Sequence, residues 1–318
     1  MSRKYQIGSG SKCVAGIQSA YGTAQTTPTA LLNMRSESIS VTVTKTAEDN
    51  LFENKVTGGV DLDGVSVGGS VSTYLRPEFA DWLFEAALGK KTGNVYTLAD
   101  PDDDIVFSTV YLERGSECKK YADMAISTLS ISANAQKTVE ANINFIGCKE
   151  EDAVMPNNVN DYVKKSYKCT NAYLKYGAGN GTPSVSLPVE TLTLSIDNGL
   201  SEGPRTYLST NYSDEPSRGI RSVSIQFTLP KGSDYDTLKD TYLEANSYVA
   251  FELQFSNGTT GETVTVKLPN VSLTAGSANV NGPGMIDGSL SGIAVQVGNA
   301  EPITITVSHA SEAHASEA

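Results

Sequence analysis

The residues that could carry chemistry in this chain are few, and their spacing does not suit it. Cys13, Cys118, Cys148 and Cys169 form no CxxC pair and have no base close by in sequence. Thiolate chemistry needs a neighbouring base or cation to depress the thiol pKa. The four therefore read as small buried hydrophobes in a chain of the reduced, cytosolic type. The two histidines, His309 and His314, both lie within SHASEAHASEA at the end of the sequence. A repeat of HASEA is small and polar and has nothing to bury, so it predicts a disordered tail over 308–318 and a folded body without histidine. That reading excludes Ser–His–Asp and Cys–His activation, and zinc sites that use histidine.

Acidic and glycine-rich stretches fare no better. DPDDDI (100–105) and DLDG (61–64) gather oxygens that calcium favours, but GVSVGG after DLDG lacks the spaced ligands and closing Glu of an EF-hand loop. Adjacent aspartates of this kind read as solvated turns. GSGSKCVAG (8–16) lacks the Gly-Lys-Ser/Thr ending of a phosphate loop, and GAGNG (177–181) lacks the rest of a dinucleotide fingerprint. Carboxylates without an aromatic sugar platform do not make a glycosidase. No catalytic, cofactor-binding or metal-binding residue is predicted.

The elements around these residues are strands. Apolar residues alternate with Ser, Thr, Asn and Gln at period 2, as in Ile39/Val41/Val43, Leu192/Leu194/Ile196 and Val264/Val266/Leu268. Two segments have a helical period. Phe79, Trp82, Leu83 and Ala86 fall on one face behind Pro77, a residue suited to a first helical turn. Tyr235, Leu238, Tyr242 and Leu243 fall on another, with Ser233 as N-cap and Asp234 and Asp236 at the positive end. The helices are expected near 77–88 and 234–245. No apolar run approaches the length of a membrane span, and MSRKYQIGSGSKCVAG has no apolar core of a secretory signal. With 24 Lys plus Arg against 36 Asp plus Glu, the net charge of −12 argues against a surface that grips nucleic-acid phosphates.

The strand–proline–helix unit occurs twice. A shift of 156 carries Val67, Val71, Phe79, Trp82, Ala86 and Ala87 onto Val223, Phe227, Tyr235, Leu238, Tyr242 and Leu243. The preceding strands match at a shift of 153, Ile39/Val41/Val43 onto Leu192/Leu194/Ile196. One overlay that keeps both strand phase and helix face predicts an internal duplication. The stretch 148–168 is charged and turn-rich with no clear strand, and reads as the boundary. TKTAEDNLFENKVTGG (44–59) and DNGLSEGPRTYLSTNYSDEPSRG (197–219) each join strands that should pair, and both are far longer than a hairpin loop. They read as arms that reach a neighbouring subunit.

IQSAYGTAQT, SESISVTV, RPEFADWLFEAALG and STLSISANAQKTVEANINFIG resemble the major tail tube proteins of long-tailed phages, over most of residues 1–307. The resemblance implies a mainly β fold of two tandem β-sandwich or half-barrel domains, each flanked by one helix. Residues 1–35 are an N-terminal arm, 36–147 the first domain, 148–188 a linker and the strand leading onward, and 189–307 the second domain. It implies a structural virion protein and no enzyme, with no cofactor. The implied partners are copies of itself, as homotrimeric rings stacked into a tube or alternatively homohexamers, the tape-measure protein and double-stranded DNA in the lumen, and the tail terminator and distal tail proteins. Assembly is implied in the host bacterial cytoplasm. A duplicated chain builds a six-fold ring from three subunits, and a polar, on balance acidic lumen lets DNA slide. The rival class is a β-sandwich adhesin or a carbohydrate- or protein-binding module.

Overall fold

The computed structural model describes residues 8–47, 59–157, 164–203, 214–280 and 283–310. It is mainly β, as the alternation predicts. The first half runs β1 (Lys12–Ile17), β2 (Ala30–Leu32), β3 (Met34–Glu37), β4 (Ser40–Ala47), β5 (Val60–Tyr74), α1 (Pro77–Leu88), β6 (Gly89–Thr92), β7 (Val95–Leu98), β8 (Ser108–Arg114), β9 (Glu117–Asn134), β10 (Glu140–Gly147) and β11 (Lys149–Asp152). The second runs β12 (Lys168–Ala178), β13 (Val185–Leu187), β14 (Thr191–Asp197), β15 (Leu200–Ser201), β16 (Ser217–Arg218), β17 (Ser222–Pro230), α2 (Ser233–Thr237), a π-helical continuation (Leu238–Glu244), β18 (Tyr248–Ser256), β19 (Thr263–Ala278), β20 (Asp287–Ala294) and β21 (Thr304–Ser308).

All strands but β15 and β16 belong to one 19-stranded sheet. Its spine is an antiparallel run in the order β4, β5, β10, β9, β14, β17, β20, β19. A second set covers one face of that run. In the first half it is β2, β1, β8, the start of β9, and β11. In the second it is β13, β12, β18, the start of β19, and β21. β9 and β19 are long because each serves both sets. Each changes register where it passes over, opposite Ser108/Val110 in one case and Val249/Phe251 in the other. Bulges of this kind bend a strand and raise its twist. Between the two sets lies a continuous core, including Val71, Ile131 and Ile143 with Leu112, and Phe227, Leu290 and Leu194 with Phe251.

Both helices seal the core. α1 starts at Pro77 and ends at Gly89, whose φ of 91° closes the last turn by N–H donation to the Glu85 carbonyl. Phe79, Trp82 and Leu83 are buried. In α2 Tyr235 is buried, and in its π-helical continuation Leu238 is buried and Tyr242 and Leu243 are partly so. Tyr235 lies on Gly288, where a Cβ would stand 2.3 Å from the ring. The second helix differs from expectation: its N-cap is Gly232 rather than Ser233, and it widens to a π-helix after Thr237.

Three other readings are corrected. The stretch from 148 to 168 contains a strand, β11, which has no apolar alternation because charge holds it: Lys119 meets Asp152 at 2.6 Å and Lys120 meets Glu151 at 2.6 Å across the ladder. Hydrogen bonds from Lys120 and Lys149 pull Glu151 down to about 2. The stretch before residue 36 contains β1, β2 and the start of β3, and Cys13, Val14, Ala15 and Leu32 on the first two are buried. The first-strand match is 155 rather than 153, since Val41 faces Val67 while Ile196 faces Val223.

Candidate functional site

The spine sheet has one covered face and one open face. Apolar side chains point to the covered side at Val71, Ile143, Leu129, Leu194, Ile225 and Leu290. Alternation then puts their neighbours on the open side. Register fixes which residues share a row there: Ser72, Asn142, Ser130, Ser195 and Ser224 lie side by side on five successive strands. None of these is buried. The adjoining row brings Ser132, Thr193, Gln226 and Ser291 together. This face is paved with hydroxyls and amides. Its charged groups sit at strand ends: Glu140 at the start of β10, where it meets Arg35 at 2.5 Å, Asp197 at the end of β14, and Asp287 at the start of β20.

The two halves meet within this face. β9 and β14 pair antiparallel from Thr128↔Asp197 to Asn134↔Thr191. The pairing extends through Asn198 N–H donating to the Ser127 carbonyl at 2.9 Å and Ala135 N–H donating to the Glu190 carbonyl at 2.8 Å. Side chains from the second half close the joint behind the sheet. Asn198, buried, donates to the carbonyls of Ala87 at the end of α1 and of Ile126. Arg221 donates to the Leu88 and Ala99 carbonyls, and Arg218 to those of Asp100, Asp103 and Asp104. Cationic and amide donors suit the negative end of a helix. Burial lowers Arg221 to about 10, with Arg218 adding in the same direction, so it stays charged at neutral pH.

At its two ends the spine sheet stops. Among the described residues, β4 pairs with β5 and with no other strand, and residues 273–278 of β19 pair only with β20. Apolar side chains stand exposed beside the first of these edges: Val43 at 48% and Leu62 at 42%. A long bare edge with exposed apolar residues is a hazard unless something covers it.

β4 is pinned from behind. Arg114 on β8 donates from Nε and Nη2 to the two carboxylate oxygens of Glu37 at 2.9 and 2.8 Å, and from Nη2 to the Ile39 carbonyl at 2.5 Å. Gly69 allows the turn of the chain between β3 and β4, because a Cβ there would lie 2.4 Å from the Ser38 carbonyl oxygen. The Arg114 hydrogen bonds hold Glu37 below the usual glutamate range, against burial that acts the other way. A depressed carboxylate stabilises the fold above its unfolded pKa and loses that contribution as pH falls through its folded value. Glu37→Gln should therefore melt lower than the parent at neutral pH, with the gap shrinking below about pH 4. Parallel melting curves from pH 7 to pH 3 check this, and a constant gap contradicts it.

The residues weighed for chemistry serve structure. Cys13 is buried, which raises its thiol to about 12, and none of the four cysteines is in a disulfide. Asp100 and Asp103 cap one another's turn, Asp100 N–H donating to Asp103 Oδ2 at 2.8 Å. In GAGNG, Asn180 accepts from Asn270 Nδ2 at 2.7 Å in the β12–β13 turn. His309 is engaged rather than free: its Nε2 lies 2.7 Å from Asp81 Oδ2 on α1. His314 and the centres of both arms lie outside the described residues. Sequence reasoning did not locate the two bare edges, because alternation does not say how many neighbours a strand has.

The sequence model of a family described as phage tail tube protein matches residues 8–306. No curated protein matches the chain.

Proposed function

The chain belongs to the phage tail tube protein family, and on that premise we propose how it builds its ring. It is a structural tail tube subunit, a component of the virion tail that assembles with copies of itself. We assign three chains to each ring, each chain supplying two β units, in place of six single units.

The observation that carries this reading is the recurrence of one wiring scheme. Strand, long arm, strand, helix, strand, long bent strand, strand and short strand follow in that order in both halves, with the hairpin β6–β7 added after α1 in the first and the short pair β15–β16 added within the arm of the second. Small details recur with it. Ser127 Oγ donates to the Asn144 carbonyl at a bulge in β9, and Thr274 Oγ1 donates to the Ser291 carbonyl at a bulge in β19. In this reading the units are the halves on either side of 158–163, so that β1 and β2 belong to the first, and β12 and β13 to the second.

The open hydroxyl face becomes the channel wall. A wall of Ser, Thr, Asn and Gln offers DNA phosphates few fixed cations, Arg35 being engaged by Glu140, and Asp197 and Asp287 at strand ends repel them. The tape-measure protein and double-stranded DNA are the expected occupants, and the tail terminator and distal tail proteins the expected contacts at the tube's ends. The arms carry the stacking between rings: Ile220, at the foot of the second, is 95% exposed. Deleting 47–56 or 202–215 is expected to leave rings intact and shorten or abolish tubes. Negative-stain images of the two deletion proteins check this, and full-length tubes from both contradict it. The tube reading itself is tested by particle size of the parent protein. Rings or long tubes are expected, and particles that stay at one chain under all conditions overturn it in favour of a binding module.

A further inference from the structure

The joint between β9 and β14 is a template for the joint that the two bare edges lack. Resting on the tube reading above, we infer that residues 275–277 of β19 pair antiparallel with residues 40–42 of β4 in a second copy of this chain, with Gly276 facing Val41.

The register follows from equivalences at both edges. Val41 faces Val67, ten residues before α1 begins, and Ile196 faces Val223, ten residues before α2 begins. Val41 and Ile196 therefore hold the same place. Leu129 faces Ile143 two residues past the Ser127 bulge, and Gly276 faces Leu290 two residues past the Thr274 bulge. Leu129 and Gly276 hold the same place too. Leu129 faces Ile196 within the chain, so Gly276 faces Val41 between chains. Ser277 then faces Ser40, and Ala275 faces Thr42, while Ile39, whose carbonyl is held by Arg114, lies beyond the joint.

Hydrogen-bond phase agrees. The donation from Asn198 to Ser127 makes Leu129↔Ile196 a hydrogen-bonded pair by alternation. Val41 should then present its own N–H outward. Ser38 N–H donates inward to the Ser70 carbonyl, and counting along β4 gives the same phase, with even residues inward and odd residues outward. Exposure agrees as well. Asn198, the counterpart of Val43, is 3% exposed inside the internal joint, whereas Val43 is 48% exposed at the bare edge. A second copy seated in this register removes Val43 from water.

Ser277 and Ser40 form a non-hydrogen-bonded pair on the open face, where Cα atoms stand about 4.5 Å apart, within reach of a disulfide. The test uses full-length protein carrying Ser40→Cys with Ser277→Cys, assembled and treated with oxidised glutathione, then run on a denaturing gel without reductant. The inference expects most of the chain to shift into covalent multimers ending at three chains. Each single variant should stay monomeric, and so should Ser40→Cys with Ala275→Cys, which matches a register two residues away. Tubes that form without crosslinking at 40/277, or that crosslink equally at 40/275, overturn the register and leave the tube reading standing. Protein that forms no ring before oxidation, parent included, overturns both.

Discussion

Val41→Pro should abolish ring and tube formation while leaving a folded monomer. By the alternation along β4, the Val41 N–H points away from β5, so proline there breaks no bond of the β4–β5 ladder. It removes the donor presented to the neighbouring copy and leaves that copy's carbonyl buried without a partner. Such a loss costs about 1–3 kcal/mol at one site. A ring of three has the fault at every joint, so the sum reaches about 3–9 kcal/mol per ring, enough to empty the assembled state at ordinary concentrations. Size-exclusion chromatography with far-ultraviolet circular dichroism checks both halves of the expectation. Strand signal equal to the parent's should accompany elution as a single chain. Normal tubes from Val41→Pro would show that β4 is not an assembly edge.

The second large effect lies in the core. Trp82→Ala should destabilise the subunit by about 3–5 kcal/mol and Leu238→Ala by about 2–5. Trp82 is 7% exposed, lies 6.5 Å from the Phe145 ring between centroids, and donates from Nε1 to Ser108 Oγ at 3.1 Å. Truncation opens a cavity under α1 and strips the buried Ser108 hydroxyl of its donor. Leu238 is fully buried at the point where α2 widens into its π turn. Both variants should melt well below the parent in the monomeric state. If Trp82→Ala melts with the parent, α1 does not seal the first half as described.

Strand phase, both helices and the pairing of β4 with β5 and of β14 with β17 were readable in the sequence, because each is set by local alternation. SVTV, LTLS and VSIQF announce which residues face the core. Other features were not local. KEED makes a strand only because Lys119 and Lys120 stand opposite, and those lie some 30 residues earlier. β1 and β2 looked like a loose arm because KCVAGI, buried almost throughout, has no alternation. The two-residue error in matching Ile39 came from judging a strand by its apolar residues, when cross-strand register decides it. Glu37, a carboxylate, holds the place that Leu192 holds in the second half, opposite Val71 and Phe227 respectively. The bare edges were invisible for a plainer reason: alternation says which face a residue takes, and nothing about whether a strand has one neighbour or two.

The central claim is that one chain supplies two β units and that three chains close a ring. Symmetry-resolved electron microscopy of assembled tubes tests it most directly. The account predicts three chains per ring, an unbroken antiparallel sheet around the lumen, and Ser130, Ser195 and Ser224 facing the channel. Six chains per ring, or a lumen lined by Lys and Arg, would contradict it.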